Sequence, residues 1–406
     1  MRLSAVVGAL FLAAGVAQAG DFYVRPDGDD ARDGRSPERA RRTIQKILDE
    51  AGPGDTIHLA PGIYRQDLRS VRHGEPGRPI TIEGPPEAVI QGGGEDRVIL
   101  IRHDYHTLRG FTVDGLHGSP DHPRGYRDIL LYVHGSEPRR GVTGLRVLRM
   151  TFRNSGGEAV RLRYFARRNE IAFCRFERCG VYDFRFKGGG KNGEAVYIGT
   201  APEQLKDGKN PTADPDACSE NWIHHNFFDT RGNEAVDIKE ASFANRVEYN
   251  EVTGQLDPDS GGLGCRGNRN VFRFNVVYGN AGAGIRLGGD GERDGIENDV
   301  CHNVLRDNRA GGLRVQRWPQ GKICGNVVSG NAAGAAAGTY GREIDPARPC
   351  DDPREDTDGD GIRDADETAR GLDPRNADED ADGELDGRQD WDRDGVPNAE
   401  DASPRG

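Results

Sequence analysis

Apolar and polar residues alternate in short recurring bursts along the middle of the chain. Six stretches lie over one another: GEAVRLR (157–163), GEAVYIG (193–199), NEAVDIK (233–239), SGGLGCR (260–266), GAGIRLG (282–288) and AGGLRVQ (310–316). Their fourth and sixth positions are apolar and their fifth and seventh mostly polar, the period-two signature of a short strand with one buried face. A second phrase recurs as NWIHHN (221–226), NRVEYN (245–250), NVFRFN (270–275) and NDVCHN (298–303). Its last asparagine falls at 226, 250, 275 and 303 and again at 326, in steps of 24, 25, 28 and 23 residues. A repeat of that length made of strands and turns predicts a solenoid. Equivalent residues of successive coils then stack at strand spacing, ~4.8 Å, and these asparagines are expected to form an internal ladder.

The solenoid needs a cover over its first coil. Asp21 to Arg25 reads as a strand, followed by a polar loop and then Ser36 and Pro37 as N-cap and first helical residue. Ile44, Ile47, Leu48 and Ala51 keep helical spacing until Gly52-Pro53-Gly54 stops it, so a capping helix is predicted over 37–51. Residues 200–220 form a polar insertion between two aligned coils. It is either a tolerated surface loop or a wall of a substrate groove.

Charge divides the chain. Residues 351–406 carry 21 acidic residues against 7 arginines, a net of −14, while the rest is close to neutral at +2. Residues 139–191 are basic, with 14 Lys and Arg against 4 acids. A basic zone suits an acidic polysaccharide; no aromatic-plus-basic nucleic-acid motif accompanies it. Residues 1–19 read as a secretory signal: Arg2, an apolar run from Ala5 to Ala17, and a small-x-small cleavage site at Ala17-Gln18-Ala19. No later segment is apolar enough to span a bilayer, so a secreted monomer is expected, with residues 20–350 as the solenoid domain. In an oxidising compartment the seven cysteines permit bridges. Cys301 and Cys324 share a position in adjacent coils and are a candidate pair.

The acidic tail, 351–406, has a spacing of its own. DTDGDGIRDADE (356–367) puts Asp356, Asp358, Asp360, Asp364 and Glu367 at positions one, three, five, nine and twelve of a calcium loop, with Gly361 at the sharp turn. Asp378, Asp380, Asp382 and Asp386 repeat it around Gly383. Asp390, Asp392, Asp394, Asn398 and Asp401 do so around Gly395. With GLDPRN (371–376) between loops, the tail resembles bacterial thrombospondin type 3 repeats. That resemblance implies a Ca2+-binding spacer or stalk.

Reading the stacked strands outward gives two solvent-facing columns. The fifth position runs Arg161, Tyr197, Asp237, Gly264, Arg286, Arg314, and the seventh Arg163, Gly199, Lys239, Arg266, Gly288, Gln316. Lys239 and Arg266 are therefore expected side by side, one coil apart, as candidate catalytic residues. Arg161, Arg163, Tyr197, Arg286 and Arg314 flank them as candidate substrate-binding groups. Glu158, Glu194 and Glu234 share a third column, and Glu194, Glu234 and Asp237 are candidate calcium ligands. A lysine beside an arginine has its pKa lowered by like charge, which moves it toward use as a base. The chemistry that fits is β-elimination on a uronate-containing polysaccharide, with a cation neutralising the sugar carboxylate. The bland alternative is a solvated wall with Lys239 paired to Asp237 or Glu240. The corresponding non-enzymatic reading is a β-helix that binds or displays acidic polysaccharide on a calcium-stiffened stalk.

The phrase PGDTIHLAPGIYR (53–65) resembles that of secreted right-handed parallel β-helix proteins of the pectate-lyase-like superfamily, and the likeness runs through the repeats. It implies an all-β, right-handed parallel β-helix. Around the columns the chain is similar to polysaccharide lyase family six. Glu234 and Lys239 keep that family's five-residue spacing, and Arg266-Gly267-Asn268-Arg269-Asn270 resembles its Arg-His-Gly-Asn-Arg phrase. The likeness implies a Lys base, an Arg acid or stabiliser, and calcium on Glu side chains. The histidine after the arginine is missing here, and Gly232 stands where the family has a paired Glu.

Overall fold

The computed structural model describes residues 19–350, 356–374, 376–379, 383–392 and 395–401. Two compact units divide at Arg348 and Pro349. The expected signal residues 1–18, and Asp380, Asp382 and Asp394 of the tail, lie outside the described residues.

The larger unit winds through three all-parallel sheets of 11, 10 and 10 strands. One coil runs Trp222–His224, Phe227–Asp229 and Val236–Ile238 before the next begins at Arg246–Glu248. Each strand pairs with its equivalent one coil on: Ile223 with Val247, Phe228 with Val252, Val236 with Leu263. This is the parallel β-helix expected from the repeats. The fourth and sixth positions of the aligned strands are fully buried, from Val160 and Leu162 to Leu313 and Val315. Phe152, Phe176 and Phe228 stack inside the coil at ring separations of 5.2 and 4.7 Å.

The corner between the first two strands of a coil is made by one residue in the left-handed region: His225 (φ 52°), Tyr249 (53°), Phe274 (56°), His302 (55°). Each such non-glycine conformation costs ~1–2 kcal/mol. Two features offset that cost. The four rings stack on one another at 4.9, 4.9 and 5.3 Å, so His225 and His302 are packing residues. The following asparagines form the expected ladder, with Nδ2 to Oδ1 distances of 3.0, 3.0, 2.9 and 3.0 Å from Asn226 through Asn250, Asn275 and Asn303 to Asn326. Two further ladders were not foreseen: Asn169, Asn221, Asn245, Asn270, Asn298 and Asn280, Asn308, Asn331. Asn250→Ala would strand the amide groups of Asn226 and the carbonyl of Ile223 in the core. It is expected to lower stability by about 3 kcal/mol or more in chemical denaturation. Val327→Ala, at a position 61% exposed, should cost under ~0.5 kcal/mol.

The N-terminal cover is shorter than the sequence predicts. It is a turn of 3-10 helix at Pro37–Arg39 and an α-helix at Ile44–Leu48. The chain between is drawn out because Arg41 pairs with Val24 as an extra bridge. Asp30 then fixes the helix start, accepting from the backbone of Arg42 and Thr43 at 3.0 and 2.9 Å. Ile44, Ile47, Leu48 and Ala51 are buried against the first coil as expected. The Cys301–Cys324 pairing is not made. The two cysteines are in register, but Cys324 is bonded to another cysteine and the Cys301 sulfur stays 3.6 Å away as a thiol.

Burial pulls His106 and His134 down to about 4. Both are neutral when folded and bind protons more readily when unfolded, where the pKa is ~6.5. Stability should therefore be full above pH ~6.5 and fall as the pH drops through about 4. His106→Gln should flatten that slope in denaturation curves taken across the range.

Candidate active site

The outward column keeps the predicted register. Arg161, Tyr197, Asp237, Gly264, Arg286 and Arg314 are successive partners, and Ile238 beside Cys265 sets Lys239 next to Arg266. The column is not a solvated wall, however. Around its middle, segments carrying Lys191, Gln204 and Asp257 line the site, and Lys239 and Asp237 are buried. Lys239 Nζ lies 2.6 Å from Asp237 Oδ2, and Arg266 Nε 4.0 Å from the same oxygen. Arg266 Nη1 reaches Glu240 at 3.8 Å and Asp290 at 3.2 Å. Lys239 Nζ also sits 4.6 Å from the centre of the Tyr197 ring.

Two glycines make room. Gly199, at φ 98°, turns the chain out into the insertion, and a Cβ there would meet Lys239 Cβ at 3.2 Å. Gly264 leaves a gap between Asp237 and Arg286, where a Cβ would sit 3.0 Å from Asp237 Oδ1. In front of this gap is a cavity of about 300 Å³. Its floor is Glu194, Glu234, Asp237 and Lys239, with Tyr197, Arg266 and Arg286 at the sides. The rim is set by Glu203 and Gln204 from the insertion and by Lys191, Asp257, Asp259 and Ser260. Lys191 bridges Asp257 at 3.0 Å and Asp259 at 2.9 Å, tying one rim segment to the other.

Glu194, Glu234 and Asp237 are buried and offer oxygens within 4.8 Å of one another. Glu234 Oε2 and Asp237 Oδ1 have no hydrogen-bond partner, while Glu234 Oε1 accepts from Ser260. Burial and the neighbouring Glu234 push the Glu194 carboxyl up to about 8. Burial and Asp237 push Glu234 up to about 7. Burial would raise Asp237 too, but Lys239 and Arg266 outweigh it and hold its carboxyl low. Three crowded carboxylates with two unclaimed oxygens fit a divalent cation.

Two sequence expectations need correction. Burial disfavours the charge on Lys239, yet the Asp237 carboxylate overrides it and raises the lysine's pKa well above the ordinary value; like charge from Arg266 is the weaker influence. Arg161 and Arg163 do not face a groove. Arg161 binds Glu158 at 2.8 Å and Gln204 at 2.6 Å, and Arg163 binds Asn210 at 2.5 Å and Asp207 at 2.9 Å. They anchor the insertion to the coil beneath. Lys191, Asp257, Asp259 and Ser260 were missed as site-lining residues; the DPDSGG stretch (257–262) that lengthens one coil connection was the available signal.

The tail unit repeats one loop geometry three times. The first-position aspartate accepts from the sixth-position glycine N–H: Asp356 from Gly361 at 3.1 Å, Asp378 from Gly383 at 2.9 Å, Asp390 from Gly395 at 2.9 Å. The ninth-position side chain accepts from the second-position N–H, in Asp364 from Thr357, Asp386 from Glu379 and Asn398 from Trp391. A short helix, Asp364–Arg370, carries Glu367 back under the first loop. Asp356, Asp358 and Asp360 offer oxygens within 4.8 Å. Glu367 is buried without a hydrogen bond to either oxygen, and burial with Asp358 and Asp360 pushes it up to about 9. These groups could bind metal.

The fold is that of polysaccharide lyases and other carbohydrate-active β-helix proteins. An alginate lyase from Paenibacillus sp. str. FPU-7 superposes with a TM-score of 0.55 at 17% identity, over 72% of this chain and 96% of that one. Pectate lyase Pel9A gives 0.53 at 14%, over 80% and 78%. A glycoside hydrolase gives 0.52 at 9%, over 82% and 99%. No protein-family profile matches the chain, and no curated protein does. Among the described residues, no helix is long and apolar enough to cross a membrane.

Proposed function

We propose that the protein is a secreted lyase that cleaves a uronate-containing polysaccharide by β-elimination. The observation that carries this reading is the convergence of Lys239 and Arg266, from adjacent coils, on one buried carboxylate at the floor of a polar cavity. Lys239 is the group to take the proton beside the sugar carboxylate. Arg266, with Arg286 across the gap left by Gly264, is placed to hold that carboxylate as charge moves onto it. The electrons of the broken C–H bond form the double bond, and the glycosidic C–O bond breaks as its oxygen takes up the proton that Lys239 has just accepted. A divalent cation on Glu194, Glu234 and Asp237 would supply further positive charge for the carboxylate. Lys239 must first lose the proton that Asp237 now holds in place, and Glu234 Oε2, which has no hydrogen-bond partner in the same cavity, is the group to accept it.

Support from the fold extends to polysaccharide chemistry in general, so the substrate panel should be broad. Alginate, chondroitin and polygalacturonate are incubated with the protein, and the ultraviolet absorbance of an unsaturated end is followed. Rising absorbance on one of them is the expected result. New reducing ends without absorbance would replace elimination by hydrolysis. The ion pair of Lys239 with Asp237 favours one other reading, a binding module in which the lysine never acts as a base. Binding of these polymers with no cleavage would establish it. The tail, on the same proposal, holds Ca2+ in its three loops and serves as a stiff spacer.

A further inference from the structure

The coils on the two sides of Lys239 are finished differently on their outward face. Toward the N-terminus, Tyr132 is in register with Arg161, and His134 with Arg163. These four are only 2, 6, 4 and 1% exposed, in the order Tyr132, Arg161, His134, Arg163. The Arg97 guanidinium lies 4.0 Å from the centre of the Tyr132 ring, and the 200–220 insertion covers Arg161 and Arg163. Beyond its contacts with Arg161 and Arg163, it is held by Asp216, which accepts from the backbone of Tyr164 and Phe165 at 2.7 Å each. Asn210 and Asp207 already take the Nε and Nη2 donors of Arg163, where a sugar carboxylate would otherwise fit. Gln204, near the start of the same segment, lines the cavity together with Tyr197 and Lys239.

Toward the C-terminus the face stays accessible. Arg286, Arg314 and Arg317 are all partly exposed. Their hydrogen-bond partners are the Gln316 amide and backbone carbonyls rather than carboxylates. A polyanion therefore meets guanidinium groups not neutralised by carboxylates on one side of Lys239 and a closed wall on the other.

We infer that the site takes the end of a polyuronate chain, with the polymer lying over the C-terminal coils and its terminal sugar against Gln204, so that short products are cut from that end. The cutting rests on the lyase reading; the end-on binding does not. Hexamers of mannuronate, guluronate and galacturonate are titrated into the full-length protein, either free or blocked at both ends with a bulky dye. The free hexamer of the preferred uronate should bind about tenfold or more tightly than its blocked form. Equal affinity, or no hexamer binding, overturns the inference. Gln204→Ala combined with Asp207→Ala should loosen the wall and narrow that difference; an unchanged difference would remove the insertion as the stop. On a long polymer, short products should appear from the first time point with little early loss of viscosity. An early collapse of viscosity would mean internal cutting and overturn it. If no polymer is cleaved, the lyase reading alone fails, and the hexamer titration still decides how the chain is bound.

Discussion

Lys239→Arg is expected to abolish unsaturated product on the preferred uronate polymer, a loss of about a thousandfold or more in turnover, while the protein stays folded. Arginine keeps a positive charge beside Asp237, so the buried carboxylate is not left unpaired, but its guanidinium does not give up a proton. Lys239→Ala should lose as much turnover and some stability too, because Asp237 is buried and the lysine is its nearest cation, at 2.6 Å. Arg266→Ala should also cut turnover strongly. Arg314→Ala, two coils farther on, should mainly raise KM. Circular dichroism on each variant separates lost chemistry from lost structure. Wild-type turnover in Lys239→Arg, on a polymer the protein demonstrably cleaves, would remove Lys239 as the base.

Chelating calcium should open the tail and leave the β-helix intact. Without a cation, the first loop holds Asp356, Asp358 and Asp360 within reach of one another, and Glu367 is buried with no hydrogen bond to its oxygens. Their repulsion is relieved only by protons or by metal. Arg363, Arg370 and Arg388 all lie in this unit, so trypsin reports on it directly. Cleavage there should accelerate about tenfold or more in chelator, following the population of the opened tail. The larger unit should resist in both conditions, since its core is apolar and its ladders are amide to amide. Equal resistance of the tail with and without chelator would mean that the loops are not calcium sites. Glu367→Gln, which removes a buried carboxyl that a cation could claim, should weaken the calcium effect in the first loop more than in the other two.

The parts of this molecule that repeat were legible in the sequence, and the parts that interrupt the repeat were not. Register between coils follows from hydrophobic period and hydrogen-bonded pairing, so the column from Arg161 to Arg314 emerged with its neighbours in order. The asparagine ladder at 226 to 326 was readable for the same reason. The ladder through Asn280, Asn308 and Asn331 carried a similar signal, with steps of 28 and 23 residues, but outside the aligned phrases. Exposure, by contrast, depends on what the insertions cover. Arg161 and Arg163 occupy outward positions and would face solvent in a bare coil; the partners that bury them, Gln204, Asp207 and Asn210, lie more than 40 residues on in a stretch with no period. The protonation of Lys239 failed on a similar point. Column logic placed Arg266 beside it but could not rank that contact against Asp237, two residues earlier on the same strand face, whose carboxylate comes within 2.6 Å. The capping helix was cut short by the single bridge between Val24 and Arg41, a long-range pairing that helical spacing does not reveal.

Elimination and hydrolysis leave different chemical marks, so one digestion tests the central claim. The protein is incubated with its preferred uronate polymer in water enriched in heavy oxygen, and the fragments are weighed by mass spectrometry. Elimination breaks the glycosidic bond without adding water, so each new non-reducing end should be unsaturated, the fragment one water lighter than the hydrolytic product, with no heavy oxygen incorporated at cleavage. Fragments of full hydrated mass, each carrying one heavy oxygen at the cut, would contradict the account and reassign the cavity around Lys239 to a hydrolase.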